Sequence, residues 1–270
     1  MSEPHLLYKK EGHVATVTMN RPEARNAITP EMLCRLADAW QDINEDKNVR
    51  VAILTGAGDA AFCAGADLEK LVGMTQGRRP PETDYDHRIL NDIGIIYKGL
   101  LKTYDVYKPI VAAIRGYCVA GGTEILQATD VRVAAWDAQF AIAEVKWSLF
   151  PMGGSTVRLP RQISYCQAME ILLTGERFSA HEAWRIGLIN KVVAPEQVMS
   201  EAMRYANLIA ENGPLAVQAV KRSVLETSGM ELRAALDKET EIGIPPSMSR
   251  DAREGSKAFK EKRKPTFSGE

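Results

Sequence analysis

The chain has 270 residues, 45% hydrophobic and 26% charged, with a formal net charge of −1. This is the composition of a soluble globular protein with room for one large core, and it excludes the global basic field expected of a binder of nucleic acid or anionic membranes. No apolar run reaches the ~20 residues of a membrane helix, and the first residues, MSEPHLLYKKEGH, hold no signal-peptide core, so a cytoplasmic protein is expected.

Residues 14–19, VATVTM, are β-branched and apolar and predict a strand. The NRPEARNAI stretch that follows predicts a loop. Thr29-Pro30-Glu31 is a helix start, with a capping hydroxyl and then proline at the first helical position. Apolar residues at 32, 33, 36, 37, 40 and 43 carry that helix towards Asn44–Asn48. VAIL (51–54) predicts a strand buried on both faces. Gly56-x-Gly58-x-x-Ala61 imitates a dinucleotide fingerprint. The reading fails because a second small-residue turn, Ala64-Gly65-Ala66, follows where a helix should open.

Residues 73–88 are polar, contain Pro80-Pro81, and predict a long loop with the character of a lid or a surface insertion. A helical pattern over 89–105 ends at Lys108-Pro109. IVAAI (110–114) and VRVAA (131–135) predict buried strands, with a short helix, TEILQATD, between them. QFAIAE (139–144) alternates like an edge strand. Helices follow from about Ser155, over 165–173, and from a Ser179 cap to Arg185, before a strand in GLINKVV. Beyond Pro195 the pattern is helical over 195–212, 214–227, 230–242 and 249–262, punctuated by Asn212-Gly213-Pro214, Ser228-Gly229 and Pro245-Pro246. No internal repeat is visible. Strand–helix alternation predicts an α/β core over 1–194, with a helical region over 195–270 that seeks a partner subunit.

Cys34, Cys63, Cys118 and Cys166 form no C-x-x-C and read as small buried hydrophobes. The four histidines, His5, His13, His87 and His181, have no metal-ligand spacing, so no metal is expected.

The chemistry concentrates in Gly116 to Glu144. Gly121-Gly122 opens a helix and offers free backbone N–H groups to negative charge. Glu124 falls in the first turn of that helix. It is either a helix-stabilising acid or a carboxylate beside an anion-receptive end. Glu144 closes the alternating segment, either as a solvent-facing residue or as an acid at a strand end, where catalytic groups gather in α/β sheets. Amides from the Ala66 and Gly121 turns together suit one oxyanion; a close chain crossing would also demand such small residues.

Several segments carry a resemblance: Asn20-Arg21-Pro22 with Asn26-Ala27, AFCAGADL (61–68), GYCVAGGTEILQATD (116–130), FAIAEVKWSLFPMGGSTVRLPR (140–161), LLTGERFSAHEAWRIGLINKVV (172–193) and AFKEKRKP (258–265). In this order, over nearly the whole chain, they resemble the crotonase superfamily, and within it the enoyl-CoA hydratases. The resemblance implies a crotonase-like ββα spiral core with a C-terminal helical trimerisation region. It implies that Ala66 and Gly121 form the oxyanion hole and that Glu124 and Glu144 are the catalytic pair. Backbone near Ala24, Ala64 and Leu68 would line the coenzyme A path, with Asp67 and Trp147 also on the substrate side. Phe259 and Lys262 would stand near a neighbouring subunit's site. The implied reaction is syn addition of water across C2=C3 of a 2-enoyl-CoA. The coenzyme A belongs to the substrate and no separate cofactor is needed. The implied assembly is a homo-trimer or a dimer of trimers. We assign Glu124 as base and Glu144 as acid, although either order satisfies the sequence.

Ala120 stands where such hydratases often have a third glycine, and Trp147 and Phe150 follow Glu144 where a smaller turn is usual. With the long 73–88 segment, these departures point to a bulky acyl group, such as a steroid side chain, beside the fatty-acyl alternative. Two other readings compete. One is a different crotonase reaction, isomerisation or carnitinyl-CoA-type dehydration; Glu124 argues against the isomerase, while Trp147 and Tyr85 leave a quaternary ammonium open. The other is RNA binding, carried only by Lys257, Lys260, Lys262, Arg263 and Lys264; without aromatic platforms, no nucleic-acid partner is expected.

Overall fold

The structure is a computed structural model and describes residues 3–270. Strands β1 (Leu6–Glu11) and β2 (Val14–Met19) form a hairpin, and helix α1 (Pro30–Glu45) follows. Thr29 caps α1 through its side chain, which accepts from the Met32 amide, and Pro30 occupies the first turn, as the sequence predicts. The inner face of α1 buries Met32, Leu33, Leu36, Trp40 and Ile43 completely. Next come β3 (Val51–Gly56), β4 (Ala61–Cys63), α2 (Asp84–Asn91), α3 (Gly94–Gly99), β5 (Ile110–Ile114), β6 (Tyr117–Val119) and α4 (Gly121–Leu126). They lead to β7 (Val131–Ala135), β8 (Gln139–Ala141), α5 (Ser155–Gln162), α6 (Tyr165–Thr174), β9 (Phe178–Ser179), α7 (Ala180–Arg185) and β10 (Lys191–Val193). Four helices end the chain: α8 (Val198–Ala210), α9 (Pro214–Thr227), α10 (Leu232–Ser247) and α11 (Arg250–Lys260).

The strands build two sheets. A six-stranded sheet runs β1-β2-β3-β5-β7-β10, and a four-stranded sheet runs β4-β6-β8-β9. From β2 to β10 the large sheet is parallel, and only β1 is antiparallel. In the small sheet β4, β6 and β8 are parallel. The chain crosses repeatedly from the large sheet to the small one: β3 to β4, β5 to β6, β7 to β8. Helical segments follow each crossing. This is the mixed α/β, ββα arrangement expected above. The repetition is one of path and leaves no trace as a sequence repeat.

Several local expectations are corrected. β1 adds a strand ahead of the first one expected; in LLYKKE only Leu6 is buried, so the strand lacks an apolar signature. The 73–88 segment is not all loop: a π-helical turn, Leu68–Gly73, runs up to its first residue, and α2 begins at Asp84 behind a reciprocal capping box between Thr83 and Asp86. The single helix expected over 89–105 is two, α2 and α3, broken at Asp92. β6 was missed because only three residues stand between Gly116, at φ 58°, and the next helix. A side chain at Gly116 would meet the Ala60 carbonyl at 2.2 Å. β8 is not an edge strand. It lies between β6 and the two-residue β9, where Phe140 stacks on Phe178 at 5.7 Å. Pro245 and Pro246 do not separate helices; they sit in the last turn of α10. Cys166 is exposed, whereas Cys34, Cys63 and Cys118 are buried.

Gly56 shows why the dinucleotide fingerprint fails. A β-carbon there would lie 2.3 Å from the Phe62 carbonyl and 2.6 Å from Asn26 Nδ2, so the glycine serves a chain crossing. Asn26, itself at φ 55°, pins that crossing. Its Oδ1 accepts from the Arg21 amide at 2.9 Å, and its Nδ2 donates to Ala57 O at 2.9 Å and Ala61 O at 2.7 Å.

α8 packs on the large sheet and buries Val198, Ala202 and Ala206 in the same core as β3, β5 and β7. The helices beyond it behave differently. α9 and α10 pack on each other. α9 is tied to the core by polar links, Lys221 to Asp130 at 2.7 Å and Tyr107 to Glu226 at 3.0 Å. Val220, Val224, Leu232, Leu236 and Ile244 stay exposed on this pair. No helix among the described residues is long and apolar enough to cross a membrane.

Candidate active site

Three turns leave the C-terminal ends of the adjacent parallel strands β4, β6 and β8. They carry Ala64–Ala66, Ala120–Glu124 and Ala143–Trp147. Such strand ends are where α/β sheets present functional groups.

The first two turns meet. A β-carbon on Gly121 would stand 3.8 Å from the Ala66 nitrogen, and one on Gly65 would stand 2.7 Å from Ala120 Cβ and 3.3 Å from the Gly121 nitrogen. Gly65 has φ 90°, so it needs both its conformational freedom and its missing side chain. The Ala66 turn is held from the other side, because Ile28 pairs with it: the Ile28 amide donates to Gly65 O and the Asp67 amide to Ile28 O. Among the described residues, neither the Ala66 nor the Gly121 amide donates to a protein acceptor. Gly121 is the first residue of α4, where free amides are inherent to the helix. The sequence-predicted pair is thus brought together with its donors unspent.

The third turn joins them through Ala141. Its carbonyl accepts from the Ala120 amide and from Thr123 Oγ1, both at 2.9 Å. Glu144 does not end a strand, as the sequence suggested. β8 stops at Ala141 and Glu144 opens a 3-10 turn.

Glu124 is 4% exposed. Burial raises its pKa, and the polar groups of Ser155 and Gly153 beside it oppose that rise; the Ser155 amide donates to Glu124 Oε1 at 3.4 Å. Burial raises Glu144 further, to about 7, with the negative charge of Glu124 adding to it. Glu144 Oε2 is buried without a hydrogen-bond partner among the described residues. Near neutral pH Glu144 lies close to its midpoint, so it can hold or give a proton beside Glu124.

Ser155, Gly153 and Arg158 were not singled out from the sequence, although they lie in the MGGS-containing run. Gly153 must lack a side chain, since a β-carbon there would meet Glu124 Oε2 at 2.6 Å. Arg158 braces this turn by donating to the Gly153 and Leu101 carbonyls, and Lys102 Nζ donates to Met152 O at 2.6 Å.

The remaining predicted residues fall into two groups. Ala24, Ala64 and Leu68 border the Ala66 turn; Ala64 is tied to Arg25 O at 3.0 Å, and Leu68 is 67% exposed. Asp67 is committed structurally. Its carboxylate accepts from Arg21 Nη1 at 2.9 Å and from the Glu69 and Lys70 amides, and so caps the turn that starts at Leu68. Trp147 is 77% exposed and Phe150 67%, both beyond Glu144. Phe259 and Lys262 lie on and just past α11, and both are exposed. No group of three or more His, Cys, Asp or Glu residues able to hold a metal exists among the described residues.

The family model described as enoyl-CoA hydratase/isomerase matches residues 9–270. The chain is 47% identical over 266 residues to "Enoyl-CoA hydratase EchA19" of Mycobacterium tuberculosis, covering 98% of this chain and 97% of that protein. It is 40% identical over 257 residues to "(E)-benzylidenesuccinyl-CoA hydratase" of Thauera aromatica, covering 95% and 96%. The crystal structure of an enoyl-CoA hydratase from Bacillus anthracis superposes with a TM-score of 0.88 at 34% identity, over 98% of this chain and all of that one.

Proposed function

The chain belongs to the enoyl-CoA hydratase/isomerase family, and on that premise we propose that it hydrates a 2-enoyl-CoA. The observation that carries the reading is Glu144 Oε2, a buried carboxyl oxygen with no protein partner among the described residues, on a half-buried glutamate whose titration feels the charge of the buried Glu124. In the proposed reaction the Ala66 and Gly121 amides hold the thioester oxygen and stabilise the enolate-like charge that develops on it. Glu124 takes a proton from water as the oxygen adds to C3. Glu144 delivers a proton to C2. The C2=C3 bond is consumed, and one C–O and one C–H bond form on the same face. The site needs no cofactor beyond the coenzyme A of the substrate.

Backbone around Ala24, Ala64 and Leu68 is proposed to line the coenzyme A path. Asp67, which fixes that turn, is proposed to stand with them on the substrate side. Trp147 and Phe150 are proposed to border the acyl end. The relative from Thauera, named for an aromatic acyl-CoA, supports a bulky acyl group beside the fatty-acyl and steroid alternatives. The exposed apolar residues of α9 and α10 support a homo-trimer or hexamer, in which Phe259 and Lys262 reach a neighbour's site.

The test is loss of conjugated thioester absorbance with a panel of acyl-CoAs from short linear to steroid-like. Wild-type protein is expected to consume at least one. Glu124→Gln and Glu144→Gln should each lose about 10³-fold in kcat with the fold intact. Undiminished turnover in both variants overturns the reading.

A further inference from the structure

One guanidinium nitrogen holds both chains that meet at the Ala66 turn. Ile28 and Ala66 form an isolated parallel bridge, in which the Ile28 amide donates to Gly65 O at 2.8 Å and the Asp67 amide to Ile28 O at 2.9 Å. On one side of that bridge stands the Ala27 carbonyl, and on the other the Asp67 carboxylate. Arg21 Nη1 donates to both, at 2.9 Å each. Those two bonds use both hydrogens of Nη1. Arg21 is 7% exposed and its main chain is fixed by Asn26: the Arg21 amide donates to Asn26 Oδ1 at 2.9 Å, and the Arg21 carbonyl accepts from the Asn26 amide at 2.8 Å. Asp67 is as fully committed. Its Oδ2 takes Arg21, and its Oδ1 takes the Glu69 and Lys70 amides at 3.1 and 2.8 Å. A second carboxylate, Glu23, stands 3.7 Å from Arg21 Nε and is largely exposed.

The consequence falls on the Ala66 amide. In a trans peptide unit the C=O and N–H point in opposite directions, and the described residues hold only trans peptides. The carbonyl of the Gly65–Ala66 unit is turned to the Ile28 amide, so the Ala66 N–H faces away from that amide. Its aim is therefore set by the register of the Ile28–Ala66 bridge. Two neutral hydrogen bonds make that bridge, and the charge-assisted bond from Arg21 to Asp67 is stronger than either.

We propose that Arg21 and Asp67 are positioning residues, whose buried ion pair staples the Ile28–Ala66 bridge and so aims the Ala66 amide at the substrate's oxyanion. Neither side chain needs to touch the reacting atoms. The catalytic consequence rests on the oxyanion hole of the hydratase reading; the staple itself does not.

The test uses acetoacetyl-CoA, a β-keto thioester whose enolate has its own ultraviolet absorbance. Bound to the wild type, it should enolise at lower pH than in free solution, because the amides hold the enolate oxygen. Arg21→Met keeps much of the stem's packing and removes the staple. It is expected to raise the bound midpoint by about 1–2 pH units and to lower kcat about 10²-fold, with KM nearly unchanged. Asp67→Asn keeps Oδ1 for the turn amides and replaces Oδ2 by a group that cannot accept from Arg21. It should move the midpoint the same way, and it should be the less stable single variant, because it leaves the buried Arg21 charge unpaired. In the double variant both changes cut one bond, so urea unfolding should show stability recovered relative to Asp67→Asn, while the midpoint and kcat stay displaced. A merely structural role would make the midpoint and kcat recover together with stability. A midpoint unmoved in both single variants, or no enolate on the wild type, overturns the staple. Displaced midpoints with no hydration of any acyl-CoA by the wild type keep the staple and sink the hydratase reading. Hydration by the wild type with unmoved midpoints does the reverse.

Discussion

The Ala120 amide donates to the Ala141 carbonyl at 2.9 Å, and this one bond couples the turn that carries Glu124 to the strand that delivers Glu144. The same carbonyl takes Thr123 Oγ1, so both ends of the Ala120–Glu124 turn hang on β8. Perturbing that turn should therefore reach the oxyanion donors and the carboxyls together.

Ala120 itself is held at φ 50°, ψ −125°, a conformation that suits glycine. Ala120→Gly should stabilise the fold by about 1 kcal/mol and leave kcat nearly unchanged, as read by urea unfolding and turnover. Gly65→Ala should do the opposite. Its new β-carbon would face Ala120 Cβ at 2.7 Å, so we expect a loss of about 1–3 kcal/mol in stability and about 10²-fold in kcat. Equal effects from the two substitutions would contradict the close approach of these turns.

Gly153→Ala tests the wall behind Glu124. The added methyl would press on Glu124 Oε2, Cδ and Cβ at 2.6 to 2.9 Å and turn the carboxylate away from its donors. A kcat lower by about 10²-fold, at near-normal KM, is the expected steady-state result. Wild-type turnover would place this glycine outside the working site.

Glu144 makes stability depend on pH with a definite sign. Its folded pKa is raised from 4.5 to about 7. The stability it contributes is complete below pH 4.5 and is lost as pH rises through about 7, because the unfolded chain ionises first. The span corresponds to about 3 kcal/mol. Glu144→Gln cannot ionise, so its advantage over wild type should grow from pH 4.5 to 7 and then level off. Denaturant unfolding of both proteins across that range measures the gap, and a gap independent of pH would refute the shift.

The same group should set the alkaline limb of the rate profile. With Glu144 as the acid, kcat/KM of the free enzyme falls above pH about 7 as the proton is lost. Bound substrate excludes water and raises the carboxyl further, so the limb of kcat should lie at higher pH than that of kcat/KM. Coincident limbs would point to another titrating group.

Legibility of these features in the sequence followed their range. α1 was readable because Thr29, Pro30 and the apolar stripe lie within one helix. β1 was not, since five of its six residues face outward and carry no alternation. The start of α2 was hidden by its composition. Thr83 and Asp86 form a capping box, but Asp at the third position and a polar run around it read as loop. The glutamates were legible as candidates, and their family resemblance gave them roles. What no spacing shows is that Ala66 and Gly121 face one site. That depends on β4 pairing with β6, across a long stretch of intervening chain. Ser155 was invisible for the same reason, since its amide meets Glu124 only once the chain is folded.

The distribution of the cysteines gives the chain a built-in clock. Cys34, Cys63 and Cys118 are sealed, and burial holds Cys63 at about 12, while Cys166 stands in the open on α6. A maleimide should tag the folded chain once, and further tags should appear only as β4, β6 or α1 come apart. Mass spectrometry after brief pulses would then time the opening of the layer beneath the glutamates without any engineered label.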